Sequence, residues 1–327
     1  MGSKMQLLVI KSGATYDMTN LVQSVELSGR KGTAARALTA TLLDDDGGGR
    51  PRADIDVAEG VHCLFNWEGK ELFRGIVEAQ SQTRKKRLKI TAHDNAISLS
   101  QNKDTFVYSQ KKASEIFVDI CKRYGLPYGQ VDDTGYVIDE LPKPKTTAWD
   151  AVCDALSLTY KATGARFWVG SHDGTLYLAR RRNNILQWVI EAGGNLTDYT
   201  RTKSIEEVKT RIKAVSEEGT VLAEASNAAL EEKIGIRQDI DQPDDTLSKA
   251  QLTALVKSML AEESTPKESL DVSAIGIPDV VSGVGVFVII PHLGLSRTYY
   301  VESDRHTFKR ENHTMRLSLV SAADIDK

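Results

Sequence analysis

The sequence predicts an α+β fold that is mainly β, with two barrel-like strand regions flanking a small helical unit. Three observations carry this. Residues up to about 100 alternate apolar and polar in short runs, the next ninety or so hold two segments of helical period, and strand signals resume beyond Gly193 and Gly194. At 327 residues the chain is long enough for two or three domains that each bury a core. The expected boundaries are 1–100 for the first barrel and 101–192 for the small α+β unit. The second barrel is expected over 193–327, with a helix inserted near 247–262.

In the first region, alternation begins at Leu21-Val22-Gln23-Ser24-Val25-Glu26-Leu27 and recurs over 37–43 and 61–67. The turn W-E-G-K-E at 67–71 relies on Gly69, which adopts a positive φ without a Cβ penalty. Strands over 73–79 and 87–92 follow, with no helical period between them. Short strands at this spacing predict a closed or nearly closed barrel. The polar run D-D-D-G-G-G-R at 44–50 reads as a surface loop.

Near Ser109 the period changes. Ala113, Ile116, Phe117, Ile120, Cys121 and Tyr124 share a helical face, closed by Gly125 and Pro127. A second helix takes Thr147 as its N-cap, runs an apolar stripe through Trp149, Val152, Cys153, Leu156 and Tyr160, and stops at Gly164. A hairpin follows: A-R-F-W-V, a turn at S-H-D-G, then T-L-Y-L-A. In the last region a strand is expected over 208–215 and a helix with Leu252, Leu255, Val256, Met259 and Leu260 on one face. Three strands near 284–290, 298–308 and 313–320 finish the chain. The stretch 217–245 has no clear period, and no internal repeat is evident.

The 42 basic and 45 acidic residues nearly cancel, so bulk charge gives no argument for nucleic-acid binding. Cys63, Cys121 and Cys153 lack paired spacing, which points to a reducing compartment, and no apolar run is long enough to span a bilayer. No nucleophile elbow, zinc-protease helix or phosphate loop is present, and Asp44-Asp45-Asp46 lacks the spacing of a calcium loop. Cys121 and Cys153 fall on apolar stripes and read as buried structural thiols.

Asp304, His306 and His313 fall within ten residues. Asp304 and His306 share a strand face, and His313 opens the partner strand after K-R-E-N. Three ligands at such spacing are a weak metal signature, whereas Met315, Leu317 and Leu319 mark a half-buried strand, so a hairpin with polar neighbours is expected. The basic run Arg84, Lys85, Lys86 and Arg87, and the triplet Arg180, Arg181 and Arg182, read as solvated charge or as subunit contacts to carboxylates. Trp67, Trp168 and Trp188 read equally as interface anchors or core.

Six segments together resemble the tail-hub proteins of baseplates from Gram-positive prophages and phage-like elements. These are related to contractile phage-tail hubs and the type VI secretion spike base. The segments are V-Q-S-V-E-L-S-G-R-K-G-T-A-A-R, H-C-L-F-N-W-E-G-K-E-L-F-R-G-I-V, I-T-A-H-D-N-A-I-S-L-S-Q-N-K-D-T, K-A-S-E-I-F-V-D-I-C-K-R-Y-G-L-P-Y-G, A-T-G-A-R-F-W-V-G-S-H-D-G-T-L-Y-L and S-D-R-H-T-F-K-R-E-N-H-T-M-R-L-S-L. His93 stands where the family pattern has tyrosine before the aspartate. The resemblance implies two tail-tube-like β-barrel domains, no catalytic residue and no cofactor. It further implies a homotrimeric ring joining a six-fold tube to a three-fold spike.

The implied partners are a tail tube or tube-initiator protein, a spike or tail-tip protein and other baseplate proteins, with DNA only as passing cargo. Synthesis in a bacterial cytoplasm and assembly into a virion or phage-like tail baseplate go with it. Two rival readings are a cell-wall hydrolase or metal-dependent enzyme at the tail tip, built on Asp304, His306 and His313, and a nucleic-acid-binding module built on Arg84 to Lys89.

Overall fold

The computed structural model describes residues 4–43, 57–84, 87–172, 174–243 and 248–321. The chain divides into two compact units, Met1–Tyr199 with Asp271–Asp326, and Thr200–Leu270. The N-terminal strands are β1 (Met5–Lys11), β2 (Ala14–Asp17), β3 (Val22–Arg30), β4 (Ala37–Leu43), β5 (His62–Trp67), β6 (Lys70–Thr83) and β7 (Arg87–Asp94). Next come α1 (Ile97–Gln101), β8 (Lys103–Lys112), α2 (Ala113–Arg123), β9 (Tyr128–Val131), β10 (Val137–Thr147), α3 (Ala148–Thr163), β11 (Phe167–His172) and β12 (Thr175–Arg180). They are followed by β13 (Ile185–Glu191), β14 (Leu196–Ser204), β15 (Arg211–Val215), β16 (Val221–Ser226), α4 (Ala228–Ile234), β17 (Gln238–Asp241) and α5 (Lys249–Glu263). The chain ends with β18 (Lys267–Ile275), β19 (Gly285–Ile290), β20 (Leu295–Lys309) and β21 (Asn312–Ser321).

The fold is mainly β, and among the described residues its strands form no closed barrel. Thirteen strands from both ends of the chain share one sheet, ordered β14-β18-β21-β20-β3-β4-β7-β6-β5-β1-β2, with β19 on β20 and β13 on β19. The ladder does not return on itself among the described residues. The reason lies in strand length. β20 outruns β19, whose pairing ends at Gly285↔Tyr300, and the distal edge of β20 is filled by β3 from Ser303↔Arg30 to Phe308↔Val25. The N-terminal strands still curl about one core containing Leu7, Val25, Leu38, Phe65 and Ile90, into which Phe308 of β20 is packed.

The strand order contains a repeat that the sequence reading did not detect. The series β3-β4-β7-β6-β5 has its counterpart in β14-β18-β21-β20-β19, and each is extended by one earlier strand, β1 antiparallel to β5 and β13 parallel to β19. The details agree as well. The Val77 and Val301 carbonyls accept from Gly60 N and Gly283 N at 2.7 and 2.9 Å, and the Val77 and Val301 amides donate to Val61 O and Val284 O, each at 2.9 Å. Both glycines have positive φ, 85° and 95°. A bulge follows each valine, between Val77 and Ala79 and between Val301 and Ser303. In sequence the shared signature shrinks to D-V-A-E-G-V at 56–61 and D-V-V-S-G-V at 279–284.

Between the repeats, α2 and α3 pack into a second core with Phe106, Leu141 and Leu176. The α2 stripe is as expected, with Ile116, Phe117, Ile120 and Cys121 buried. That of α3 is rotated. Ala148, Ala151, Val152, Ala155 and Thr159 face inward, while Trp149, Cys153 and Leu156 are half-buried, so the expected burial of Cys153 is only partial. Small side chains let this helix approach its neighbours closely, and the large ones flank the contact. Thr200–Leu270 has its own core, with Ile212 and Ala214 of β15 against Leu252, Val256 and Leu260 of α5. The 217–245 stretch supplies β16, α4 and β17. Among the described residues no helix is long and apolar enough to cross a membrane.

The caps of α3 are as the sequence predicts: Thr147 Oγ1 accepts from Asp150 N at 3.0 Å, and Gly164 is left-handed with φ 71°. Thr147→Ala should therefore lower stability by about 1 kcal/mol, read by denaturant unfolding, with Thr147→Ser restoring most of it.

Candidate functional site

Side chains alternate along β20, so Asp304, His306 and Phe308 face inward together. Arg36, in the short connection from β3 to β4, meets Asp304 in a two-pronged pair: Nη1 to Oδ1 at 2.8 Å and Nη2 to Oδ2 at 2.6 Å. Ser282 N also donates to Asp304 Oδ1 at 2.6 Å. The carboxylate is wholly buried, which would favour its neutral form, but the guanidinium and the Ser282 amide outweigh that and hold it below the usual carboxylate range. Arg36 needs room. A Cβ on Gly29 would stand 2.4 Å from its Nη1 and 2.7 Å from Ser282 Oγ.

His306 and His313 form a second buried pair. His306 Nε2 lies 2.8 Å from the Val280 carbonyl, which can only accept, so Nε2 carries the proton. Nδ1 of neutral His306 is then an acceptor, and His313 Nε2 donates to it at 2.9 Å. His313 Nδ1 is left as a buried lone pair. The His313 ring stacks on Phe308 at 4.0 Å, beside Trp67, and leaves no space for a Cβ at Gly276. Burial lowers both histidines, His313 to about 3 with a further contribution from His306. Asp94, buried near Arg36, is shifted up to about 6 by desolvation.

A cavity of about 600 Å³ adjoins this cluster, lined among others by Arg36, Tyr177, Arg180, Val281, His306 and Phe308. Lys70 and Asp279 form an ion pair on its lining at 2.5 Å. Chemically the cluster is engaged with itself. The hairpin expected at 304–313 is present as β20 and β21, with Met315, Leu317 and Leu319 buried. Among the described residues no group of three or more His, Cys, Asp or Glu is placed to hold a metal. Cys63, Cys121 and Cys153 are each pushed up to about 12 by burial, far from a reactive thiolate.

The residues singled out as contact candidates fall into two groups. Trp67 packs against Phe308 in the core, and Arg181 is buried between the rings of Trp168 and Tyr300, 3.7 Å from Glu302. Arg180 lines the cavity, and Trp168 lies against Gly283. Arg84, Arg87 and Arg182 are exposed, as is Trp188 at 47%. Lys85, Lys86 and Asp44 to Asp46 lie outside the described residues. Sequence reasoning missed Arg36, a lone arginine in A-A-R-A-L whose partner lies 268 residues away.

A family model described as YQBQ-like matches residues 25–320. The phage-like element PBSX protein XkdQ of Bacillus subtilis (strain 168) is 34% identical over 319 residues, covering 96% of each chain. The crystal structure of the prophage MuSo2 43 kDa tail protein from Shewanella oneidensis is similar with a TM-score of 0.75 at 14% identity, covering 98% of this chain and 99% of that one. The E. coli c3393 protein, described as a type VI secretion component similar to the T4 tail proteins gp27 and gp5, has a TM-score of 0.56 at 9% identity. That match covers 92% of this chain and 73% of the other. These two structures share its fold.

Two consequences of the cluster can be measured. Asp304→Asn leaves a largely buried guanidinium uncompensated and should cost about 3 kcal/mol, whereas the double change Arg36→Met with Asp304→Leu should recover most of the loss. Gly29→Ala should cost about 1–3 kcal/mol through overpacking against the pinned arginine.

The pH dependence follows from the histidines. Their folded pKa values lie below the unfolded value of 6.5, so the unfolded chain binds more protons as pH falls, and stability drops from about pH 6.5 toward 3. Asp94, raised from 3.8 to about 6, acts in the opposite sense between those values. His313→Gln keeps a donor toward His306 and removes one titration. Stability should then fall less steeply between pH 6 and 4, by about 1.4 kcal/mol per pH unit. Unchanged slopes in denaturant titrations at several pH values would show that His313 is not held neutral.

Proposed function

The chain belongs to the YQBQ-like family, and from that premise we propose that it is a structural protein of a phage or phage-like tail baseplate. The observation carrying this reading is the fold shared with a prophage tail protein over nearly the full length of both chains. Its membership alongside a protein of a phage-like element agrees with it.

Within the baseplate the chain acts as the hub. Three copies form a ring that takes a six-fold tail tube on one side and a three-fold spike or tip on the other. The domain division is 1–100, 101–192 and 193–327, with the first and last as tube-like modules, so three chains present six modules to the tube. The resemblance to a type VI component described as similar to T4 gp27 and gp5 supports a place at the base of the spike. Unlike, complementary surfaces on one chain generate a closed ring when the rotation between copies closes. A hub has no reaction to perform, which suits a cluster whose ionisable groups are spent on one another. Its partners are the tube or tube initiator, the spike or tip and other baseplate proteins. DNA passes through as cargo.

Light scattering over a range of concentrations with the tube and spike proteins present should give a mass that accounts for three copies of this chain beside the bound partners, and negative-stain images should show a three-fold ring. A chain that stays single with both partners present would overturn the hub reading.

A further inference from the structure

The internal repeat contains one junction that is made and one that is not. In the made junction, the distal half of β20, beyond the bulge at Glu302, pairs along its free edge with β3. Each of these strands has a counterpart. That of β20 is β6, with Val77 matching Val301 and Ala79 matching Ser303. That of β3 is β14.

Among the described residues both counterparts have an edge with no strand on it. β6 pairs with β5 only as far as Ile76, and from Ala79 to Thr83 its one strand partner among the described residues is β7. All six residues from Glu78 to Thr83 are exposed, whereas Asp304, His306 and Phe308 are buried at the matching stage of β20. At the other end of the order, β14 is paired with β18 and, apart from a bridge between Ala192 and Leu196, with nothing else among the described residues. No residue of β14 is buried.

We propose that β14 of one copy pairs antiparallel with the distal half of β6 of the next, repeating between chains the junction that β3 and β20 make within one. The occupant of both vacant edges is therefore a second copy of this chain. The argument for it is the repeat itself: among the described residues one chain has one filled junction of this kind, and two unfilled halves that are the strands equivalent to those that fill it. The contact is head-to-tail, so each copy has one edge of each kind to give, and a ring is the arrangement that leaves none unpaired. Arg84 directly follows the β6 arm and Arg87 starts β7, which puts these two sequence candidates beside the neighbouring chain. This inference rests on the ring reading above and names its joint.

The test uses the full chain with its tube and spike partners, made as an equal mixture of light and ¹⁵N-labelled copies. A photo-reactive benzoylphenylalanine replaces Ser81 or, separately, Gln82, whose side chains leave opposite faces of the strand, with Val107 as an exposed control. Cross-linked peptides joining position 81 or 82 of one copy to 196–204 of another, as mixed light and heavy pairs, are expected, and the control should give none there. An assembly of three chains whose cross-links from both positions fall elsewhere overturns the inference and leaves the ring standing. Failure to assemble with both partners removes the ring, and the joint with it.

Discussion

The pairing of Arg36 with Asp304 is the constraint on which the sheet depends. Both groups lie where ordinary burial would make charge very costly, and each is tolerated because the other is there at two hydrogen-bond distances. The pair does what apolar packing would do less selectively. It joins the connection before β4 to the middle of β20, on adjoining parts of a ladder whose strands come from opposite ends of the chain. A one-residue slip of β3 along β20 would turn Asp304 away from the guanidinium, because successive side chains point to opposite faces. Register is thus tied to charge compensation, and the ion pair contributes specificity more than net stability.

The histidines extend the same logic to the connection between β18 and β19. Val280 O accepts from His306, Ser282 N donates to Asp304, and Gly276 lies against His313, so three points along 276–282 are fixed by the inner face of β20 and β21. The proton arrangement leaves a lone pair only on His313 Nδ1, packed among aromatic rings. A proton there keeps every hydrogen bond but buries a charge with no carboxylate against it. That is why the ring stays neutral so far into acid.

What the sequence makes legible follows from the range of the interaction concerned. Helix α3 is readable because Thr147 with Asp150 and Gly164 each act on the backbone within a few residues, yet its buried face differs from the apolar stripe because hydrophobicity ranks Trp149 and Leu156 above alanine, whereas close packing prefers the alanines. Period-two alternation locates most strands of the large sheet but says nothing about their neighbours. β3 is joined to β20 across more than 270 residues, and no local pattern marks an edge that a distant strand will fill. The hairpin at 304–313 was readable and the arginine it needs was not. The repeat is hard to read because only an aspartate, a glycine turn and two valines survive in sequence, while the connections differ greatly in length.

That difference in length has a structural meaning. In the first repeat, β3 reaches β4 through residues 31–36; in the second, β14 reaches β18 through 205–266, which includes most of the unit Thr200–Leu270 with its own apolar core. A surface connection accepts a self-contained insertion at little entropic cost once the insert folds on itself. It also removes the place from which an arginine equivalent to Arg36 would arise, and the residue matching Asp304 on β6 is Gln80 rather than a carboxylate. On the proposed ring, the joint within a chain and the joint between chains therefore differ in kind. The first is locked by a buried charge pair formed once, on folding. The second relies on backbone pairing between exposed polar strands, which can form and dissolve until tube and spike hold the ring closed. An assembly built from one repeated joint can in this way keep its subunits permanent and its closure reversible.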